Sequence, residues 1–294
     1  MFEFTLKNKK LKKINIIEGT DNKNIKAIII HIHGIGSHFQ PLFECIDDFK
    51  NRDELFSKFN YKSYGLEFHG HGKSEGTKCS ISNFDDLLDD IDTLVNFIKR
   101  IYKQPIFFLC ESMGCAVALK YCIKYKNDIK GVIFLAPLFS IDDNLKPNCL
   151  IIIILTIISY LFPDCPLLSS NGITINNPEF IEARRKNRFS YNGKYRLNTG
   201  REILKISDWI NNNGYLLETP ILIFHGLKDT ITNPNTTQIM FDKMISSDKE
   251  LSLIEDGYHC LLIESKENVF LPGYIVGKIV YWMNERINLN YTLF

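Results

Sequence analysis

The chain has 294 residues, 45% of them hydrophobic, which is enough for one large domain or for one domain carrying an insertion. Lys and Arg number 35 and Asp and Glu number 34, so the formal net charge is +1 at pH 7. This balance argues against nucleic acid as the main partner.

The cysteines and the first residues of the chain indicate the cellular compartment in which the protein is expected. Eight cysteines are scattered along the chain without a Cys-x-x-Cys pair, which favours free thiols in a reducing compartment over a disulfide framework. The first ten residues lack the long apolar core of a signal peptide. We therefore expect a cytoplasmic protein, and these features leave its oligomeric state open.

Strand-like and helix-like segments alternate, which is typical of an α/β fold with a mostly parallel central sheet and helices on both faces. An antiparallel hairpin is predicted over residues 2–17, at the edge of the sheet. Apolar runs then predict six further strands, at residues 27–33, 61–68, 105–110, 131–136, 220–225 and 250–254.

A helix is predicted between the second and third of these six strands, because apolar residues recur at helical spacing over 84–98. Five aspartates fall largely outside this apolar stripe: Asp85, Asp86, Asp89, Asp90 and Asp92. We expect them to form a solvated face of the helix rather than a metal site. Neither a metal nor a cofactor is predicted for this chain.

The sheet pattern is interrupted over residues 140–219, here called the inserted segment. It predicts a helical cap on a core formed by residues 1–139 and 220–294. Its apolar run at 149–162 is too short to cross a bilayer, because residues 148–162 as a helix span about 22 Å of a roughly 30 Å hydrocarbon core. A lid helix or a buried helix is expected. An apolar lid suits a lipid-like substrate, and peripheral contact between the cap and a membrane stays open.

A serine follows the third of the six strands at a sharp turn. Residues 110–114 read Cys-Glu-Ser-Met-Gly and lead into a helix-forming segment, the strand, turn and helix of a nucleophile elbow. The Ser112 hydroxyl is the predicted nucleophile, although a Ser-x-Gly also occurs by chance. The turn requires small residues, and Cys110 stands where glycine is usual, so a slight widening of the turn is expected.

A serine nucleophile needs a histidine to take its proton and a carboxylate to orient that histidine. His259 lies on a loop after the last predicted strand, and Asp229 lies four residues after the strand at 220–225. Taken alone, His259 is more typical of a histidine on a surface loop, and Asp229 is typical of an ordinary turn. The order Ser112, Asp229, His259, with each residue after a strand, predicts a catalytic triad.

Two backbone N–H groups are expected to stabilise the oxyanion that forms during acyl transfer. Met113 supplies one, as the residue after the nucleophile, and Ile35 in the sequence His-Gly-Ile-Gly supplies the other. A glycine-rich turn can also bind phosphate, but the glycine spacing of a dinucleotide site or a P-loop is absent.

Together these motifs resemble the monoacylglycerol lipase and lysophospholipase family of α/β-hydrolases, of the serine aminopeptidase S33 type, over about residues 20–285. The most specific match is Gly-His-Gly-Lys-Ser-Glu-Gly at 70–76, beside Glu-Ser-Met-Gly at 111–114 and Gly-Leu-Lys-Asp at 226–229. The resemblance implies an α/β-hydrolase fold with a cap, no cofactor, and hydrolysis of monoacyl lipid esters. It also implies the triad and oxyanion roles given above.

Family members typically carry Glu, Arg and a second His where this chain has Ser37, Pro41 and Leu262. Those groups are associated with the glycerol head, so their replacement favours a lysophospholipase or a broader acyl esterase as much as a monoacylglycerol lipase. An acyltransferase using the same site and a non-catalytic binding protein are the remaining alternatives.

Basic residues cluster in the inserted segment and near the N-terminus. The clusters are Arg184, Arg185, Lys186 and Arg188, and Lys7, Lys9, Lys10, Lys12 and Lys13. We expect both to be solvated surface, with contact to anionic lipid as the alternative.

Overall fold

The computed structural model describes residues 1–39, 49–126, 129–141, 148–168, 176–263 and 269–288. Its strands are β1 (Phe2–Lys7), β2 (Lys13–Glu18), β3 (Ala27–Ile32), β4 (Tyr61–Glu67), β5 (Ile106–Glu111), β6 (Ile129–Leu135), β7 (Pro166–Leu168), β8 (Tyr195–Arg196), β9 (Ile221–Gly226) and β10 (Lys249–Ile254). Its helices are α1 (Phe49–Ser57), α2 (Asp85–Ile101), α3 (Met113–Tyr125), α4 (Cys149–Leu161), α5 (Pro178–Lys186), α6 (Leu197–Asn213), α7 (Pro234–Lys243) and α8 (Leu271–Asn288).

The central sheet has the strand order β1-β2-β4-β3-β5-β6-β9-β10. The β1–β2 and β2–β4 pairs are antiparallel, and the remaining neighbours are parallel. The carboxyl ends of the parallel strands therefore lie at one edge, where the loops after β3, β5, β9 and β10 can meet. The prediction of a mostly parallel sheet with an N-terminal hairpin at its edge is confirmed.

Both faces of the sheet are covered, which explains why its strands are continuous apolar runs. Along β5, Phe108 and Cys110 point into one apolar cluster, with α2 and α3. Phe107 and Leu109 point into the opposite cluster, with α1 and α8. This alternation follows from the two-residue period of a strand. The predicted helices on both faces are present.

The expected solvated face of α2 is wrong for two of its aspartates. Asp90 is fully buried and accepts hydrogen bonds from the Asn8 side chain at 2.7 Å, the His69 N–H at 2.9 Å and His69 Nδ1 at 2.8 Å. Asp86 is also buried, and forms an ion pair with Lys10. The β1–β2 hairpin and the loop after β4 cover this part of α2, so these carboxylates bind protein donors instead of water.

Lys9, one of the basic residues near the N-terminus, is also tied to α2. Its ammonium group lies 3.2 Å from carboxylate oxygens of both Asp89 and Asp92. The predicted solvated cluster thus contributes ion pairs between the hairpin and the helix. Among the described residues, no group of three His, Cys, Asp or Glu side chains is arranged to hold a metal ion.

The inserted segment lies between β6 and β9, which are neighbours in the sheet, and its described elements are α4, β7, α5, β8 and α6. α6 packs against α3 and α4. α4 begins at the cap residue Asn148, whose side chain accepts a hydrogen bond from the Ile151 N–H.

The alternative of a buried helix at 149–162 is wrong, because Ser159 is the one residue of α4 that is buried. Several of its large apolar side chains are exposed, namely Leu150, Ile151, Ile153, Ile154, Ile157, Tyr160 and Leu161. Across the described part of the chain, no helix combines the length and the apolar character needed to cross a membrane.

Two buried histidines lie behind the loop at 34–37. The rings of His33 and His71 are 5.1 Å apart, and His33 Nε2 accepts a hydrogen bond from the Phe68 N–H at 3.2 Å. The His33 proton is therefore on Nδ1, which donates to the Gly34 carbonyl at 2.7 Å. Burial lowers the pKa of His33 well below its ordinary value and that of His71 to about 4.

Buried neutral His71 makes stability depend on pH. Its pKa is 6.5 when unfolded and about 4 when folded, so the unfolded chain binds more protons between these values. The free energy of unfolding therefore falls as the pH drops through this window, by up to about 3 kcal/mol from His71. In His71→Asn, the fall in the free energy of unfolding, measured by urea denaturation, should be smaller by that amount. Asn is chosen because its amide can still donate to the His69 carbonyl. An equal fall in both proteins contradicts the assignment.

Candidate active site

Ser112 occupies the turn between β5 and α3, as the strand, turn and helix pattern predicts. Its backbone has φ 51° and ψ −116°, a conformation that costs energy for a residue with a side chain. The turn is held from both sides: the Ser112 N–H donates to the Leu135 carbonyl at 3.0 Å, and the Leu138 N–H donates to the Ser112 carbonyl at 3.0 Å. Ser112 is buried, with 8% of its surface exposed, but it lines two cavities through which a substrate can reach it.

Gly114 is required because α3 starts directly against β3. A Cβ atom on Gly114 would lie 2.6 Å from the Ile32 carbonyl oxygen and 2.7 Å from that of His33. Both contacts are with backbone, which cannot move aside as a flexible side chain does. The second glycine of the motif is therefore a steric requirement of the elbow.

Cys110, which stands where the motif usually has its first glycine, is accommodated without a break in the strand. It lies within β5, in continuous register with Ile32 on one side and Phe134 on the other. Its side chain is fully buried in the apolar core, and burial raises the pKa of its thiol well above the ordinary value. The thiol fills core space and remains protonated.

Asp229, on the loop after β9, is bound to the ring of His259. His259 Nδ1 donates to Asp229 Oδ2 at 2.7 Å, and the Thr232 hydroxyl donates to the same oxygen at 2.7 Å. The N–H groups of Ile231 and Thr232 donate to Oδ1 at 2.7 and 3.1 Å. Burial works to raise the pKa of Asp229, but the charge of His259 and the hydrogen bonds from His225 and His259 hold it well below its ordinary value.

The carboxylate fixes the tautomers of two histidines, because an ionised carboxylate only accepts. His225 Nε2 lies 3.1 Å from Asp229 Oδ2 and must carry a proton, so His225 Nδ1 accepts from the Thr237 hydroxyl at 2.8 Å. His259 donates from Nδ1 and therefore keeps Nε2 unprotonated when neutral. An unprotonated Nε2 is the form that can accept a proton from a hydroxyl.

Ser112 lies where two cavities meet. The apolar cavity, of about 220 Å³, extends from Ser112 into the inserted segment. Its lining includes Leu138, Ile141, Ile152, Leu155, Leu168, Leu197, Ile203 and Leu204. The polar chamber, of about 230 Å³, contains Ser112 together with His259, and its lining includes Ser37, His38, Arg52, Glu111, Phe180, Arg184 and Ser190.

The structure brings Ser112, His259 and Ile35 to the polar chamber and binds Asp229 to His259. Among the hydrogen bonds of the described residues there is none between Ser112 and His259; such bonds are often long before substrate binds. Met113 is the first residue of α3, so its N–H has no acceptor within the helix. Ile35 lies in a turn closed by a 3.3 Å bond from the Ser37 N–H to the Gly34 carbonyl.

His225 and Thr232 complete the network around Asp229 and were not identified from the sequence. His225 lies in the apolar run of β9 and looks like an ordinary strand residue. Thr232 could have been found from its position three residues after Asp229, since an Asp in a loop often accepts hydrogen bonds from N–H groups two and three residues later. Arg52 was also missed: it forms an ion pair with Glu111, next to Ser112.

The basic cluster of the inserted segment divides in two. Arg185 and Lys186 are exposed and pair with Glu182, as expected for solvated surface. Arg184 lines the polar chamber, so the expectation of a purely solvated position is wrong for this residue. Pro41, a further position where the chain departs from the family pattern, lies outside the described residues.

The family model described as serine aminopeptidase, S33, matches residues 23–266. The chain belongs to this family. The S33 assignment agrees with the resemblance inferred from the sequence motifs, which is thereby confirmed.

Two curated relatives align along most of the chain. Caffeoylshikimate esterase of Arabidopsis thaliana is 27% identical over 276 residues, covering 90% of this chain and 79% of the relative. Monoglyceride lipase of Rattus norvegicus is 23% identical over 265 residues, covering 89% and 84%.

Solved structures show the fold. Monoacylglycerol lipase from Paleococcus ferrophilus superposes with a TM-score of 0.76 at 18% identity, over 93% of this chain and 99% of that one. A soluble variant of monoglyceride lipase from Saccharomyces cerevisiae, in complex with a substrate analog, gives 0.74 at 18% identity over 94% and 92%. The predicted α/β-hydrolase fold is confirmed.

The elbow can be tested with a matched pair of glycine substitutions. Gly114→Ala forces a Cβ atom against two carbonyl oxygens, so we expect a loss of about 1–3 kcal/mol in the free energy of unfolding. Gly277→Ala, in α8, meets nothing within 4 Å and should gain up to about 1 kcal/mol from helix propensity. Urea denaturation measures both. Equal behaviour of the two variants contradicts the close contact at Gly114.

Proposed function

We propose that this protein is a serine hydrolase that cleaves carboxylic esters of monoacyl lipids through Ser112, His259 and Asp229. The family and its esterase and lipase relatives support the general class, a carboxylic ester hydrolase. The position of Ser112 at the junction of an apolar cavity and a polar chamber carries the finer assignment, because a monoacyl ester has one apolar and one polar half.

His259 decides which half of the ester enters which cavity. The base that takes the Ser112 proton must later protonate the leaving alcohol, so the alcohol oxygen has to lie beside it. His259 lines the polar chamber and is not among the residues that line the apolar cavity. The acyl chain therefore enters the apolar cavity, and the alcohol enters the polar chamber.

In the proposed reaction, Ser112 Oγ attacks the ester carbonyl carbon while its proton passes to His259 Nε2. Asp229 holds the ring through Nδ1 and stabilises its positive charge. The N–H groups of Met113 and Ile35 donate to the oxyanion, each contributing roughly 3 kcal/mol of transition-state stabilisation. The carbon–oxygen bond to the alcohol then breaks, and His259 returns the proton to the departing oxygen.

The acyl group, now esterified to Ser112, is released by water. His259 takes a proton from the water as its oxygen attacks the acyl carbonyl, and gives it to Ser112 Oγ as the acyl–serine bond breaks. The products are a fatty acid and the free enzyme. Hydrolysis needs no cofactor in this scheme.

We further propose that the inserted segment is a cap over the site. Residues of α4, β7, β8 and α6 form much of the wall of the apolar cavity. The loop after α5 is attached to the core at the oxyanion turn, since the Tyr191 N–H donates to the Gly36 carbonyl at 3.0 Å. Ser190 lies 3.0 Å from His38 Nε2, at the rim of the polar chamber.

A fluorophosphonate probe tests the nucleophile directly. We expect covalent labelling at Ser112, located by peptide mass spectrometry, and loss of labelling and of p-nitrophenyl ester hydrolysis in Ser112→Ala. Ser140→Ala is the matched control, because Ser140 is also buried but bonds its own loop; it should keep both. If the wild type is not labelled, or Ser112→Ala cleaves at the wild-type rate, the proposed function is wrong.

The outer face of α4 supports contact between the cap and a lipid surface. Ile152, Leu155 and Thr156 face the apolar cavity, whereas Ile153 and Ile157 are 56% and 59% exposed. An apolar helix with one face on the acyl site and the other in water is suited to lie in a membrane interface, where a lipid ester would be taken up.

Vesicle sedimentation tests this contact. The double variant Ile153→Ser, Ile157→Ser should bind phosphatidylcholine vesicles at least about 10-fold more weakly, since each buried isoleucine contributes about 1.5–3 kcal/mol. Ile239→Ser, on α7 with 53% exposure, is the control and should leave binding unchanged. Both variants should hydrolyse a soluble short ester normally. Unchanged vesicle binding of the double variant rules out α4 as the contact.

A further inference from the structure

The polar chamber holds an uneven set of charges. Arg52 is buried and forms an ion pair with Glu111, so these two formal charges cancel. Arg184 is the second arginine of the lining. Among the described residues, its guanidinium has neither an ion-pair nor a hydrogen-bond partner. The described lining of the chamber is therefore left with one uncompensated positive charge.

Arg184 is held at the chamber by the packing of α5. Phe180 lies one helical turn earlier, also lines the chamber, and is buried against Ile263 with Cys260 beside it. Residues four apart share a face of a helix, so the burial of Phe180 turns Arg184 towards the same side. Cys260 directly follows His259, which places this anchor next to the proposed catalytic base.

The other basic residues on α5 do not share this position. Arg185 and Lys186 are 69% and 73% exposed and pair with Glu182 on the outer side of the helix. Arg184 also acts electrostatically on Tyr195. Burial raises the pKa of the Tyr195 hydroxyl, and the positive charge of Arg184 offsets part of this rise. Tyr195 lines both cavities, so the charge of Arg184 is felt at their junction.

We propose that Arg184 binds an anionic group, a phosphate or a carboxylate, on the alcohol portion of the ester. This inference rests on the proposed function, which places the alcohol in the polar chamber. A guanidinium presents paired N–H donors that match the oxygens of both anions. A neutral glycerol head would leave the Arg184 charge without a counterion in the chamber. Arg184 is thus a specificity-determining residue, separate from the triad.

Three esters with one acyl chain separate the sources of the anion. The substrates are the octanoyl esters of glycerol, glycerol 3-phosphate and glyceric acid, used below their micellar concentrations. For the wild type, kcat/KM should be higher for at least one anionic ester than for the neutral one. The phosphate and carboxylate arms identify which anion is preferred.

Arg184→Gln is the test variant, and Arg185→Gln is the matched control on the exposed side of the same helix. Arg184→Gln should lower kcat/KM for the preferred anionic ester roughly 10- to 100-fold, mainly through KM, since hydrogen bonds to charged groups have this range of strength. Hydrolysis of the neutral ester should stay within about 3-fold. Arg185→Gln should match the wild type on all three esters.

Equal losses on all three esters, or a wild type that prefers the neutral ester, overturn the role of Arg184. A protein that hydrolyses no ester and is not labelled at Ser112 instead refutes the proposed function. Calorimetric binding of the octanoyl glycerol 3-phosphate and glycerate esters to Ser112→Ala, with and without Arg184→Gln, measures anion recognition independently of turnover. Loss of affinity for an anionic ester in the double variant supports the inference, and unchanged affinity for both overturns it.

Discussion

The buried carboxylate of Asp229 is the interaction on which the arrangement around Ser112 depends. Removing this charge from water is costly, and the cost is offset by donors from β9, from its own loop and from the loop after β10. Because these donors lie on separate stretches of chain, one charge fixes their relative positions. His225 extends the network to Thr237 on α7. The group that orients His259 therefore also joins the loops at this edge of the sheet.

The helix α4 of the inserted segment has apolar side chains on two faces, one towards the cavity beside Ser112 and one towards solvent. A helix that is apolar all round is normally buried, yet α4 keeps much of its surface in water. Its inner face has a reason to be apolar, since it forms part of the wall beside Ser112. Among the described residues, none covers the side chains of its outer face, such as Ile153 and Ile157. The proposed contact with a lipid surface would give that outer face a physical reason to be apolar.

The sheet and the site differed in how far sequence could predict them. Strands such as β3 are buried on both faces and read as apolar runs, and the turn at Ser112 is marked by its own small neighbours, so both were predictable from local pattern. The surroundings of Asp90 and Arg184 were not. Asp90 meets Asn8, which lies 82 residues away in the chain, and Arg184 is turned inward by the burial of Phe180. Such environments arise from tertiary contacts, which hydrophobic periodicity does not record.

The hydrogen bond from the Tyr191 N–H to the Gly36 carbonyl has a consequence for timing. Gly36 has φ 67° and belongs to the turn that carries the Ile35 N–H, so the inserted segment is bonded to the turn of a proposed oxyanion donor. Movement of that segment away from the core would break this support as it admits a substrate. Entry of the substrate and support of the Ile35 turn would then alternate. With the inserted segment displaced, substrate would enter and products would leave, and with the segment in place the ester would react.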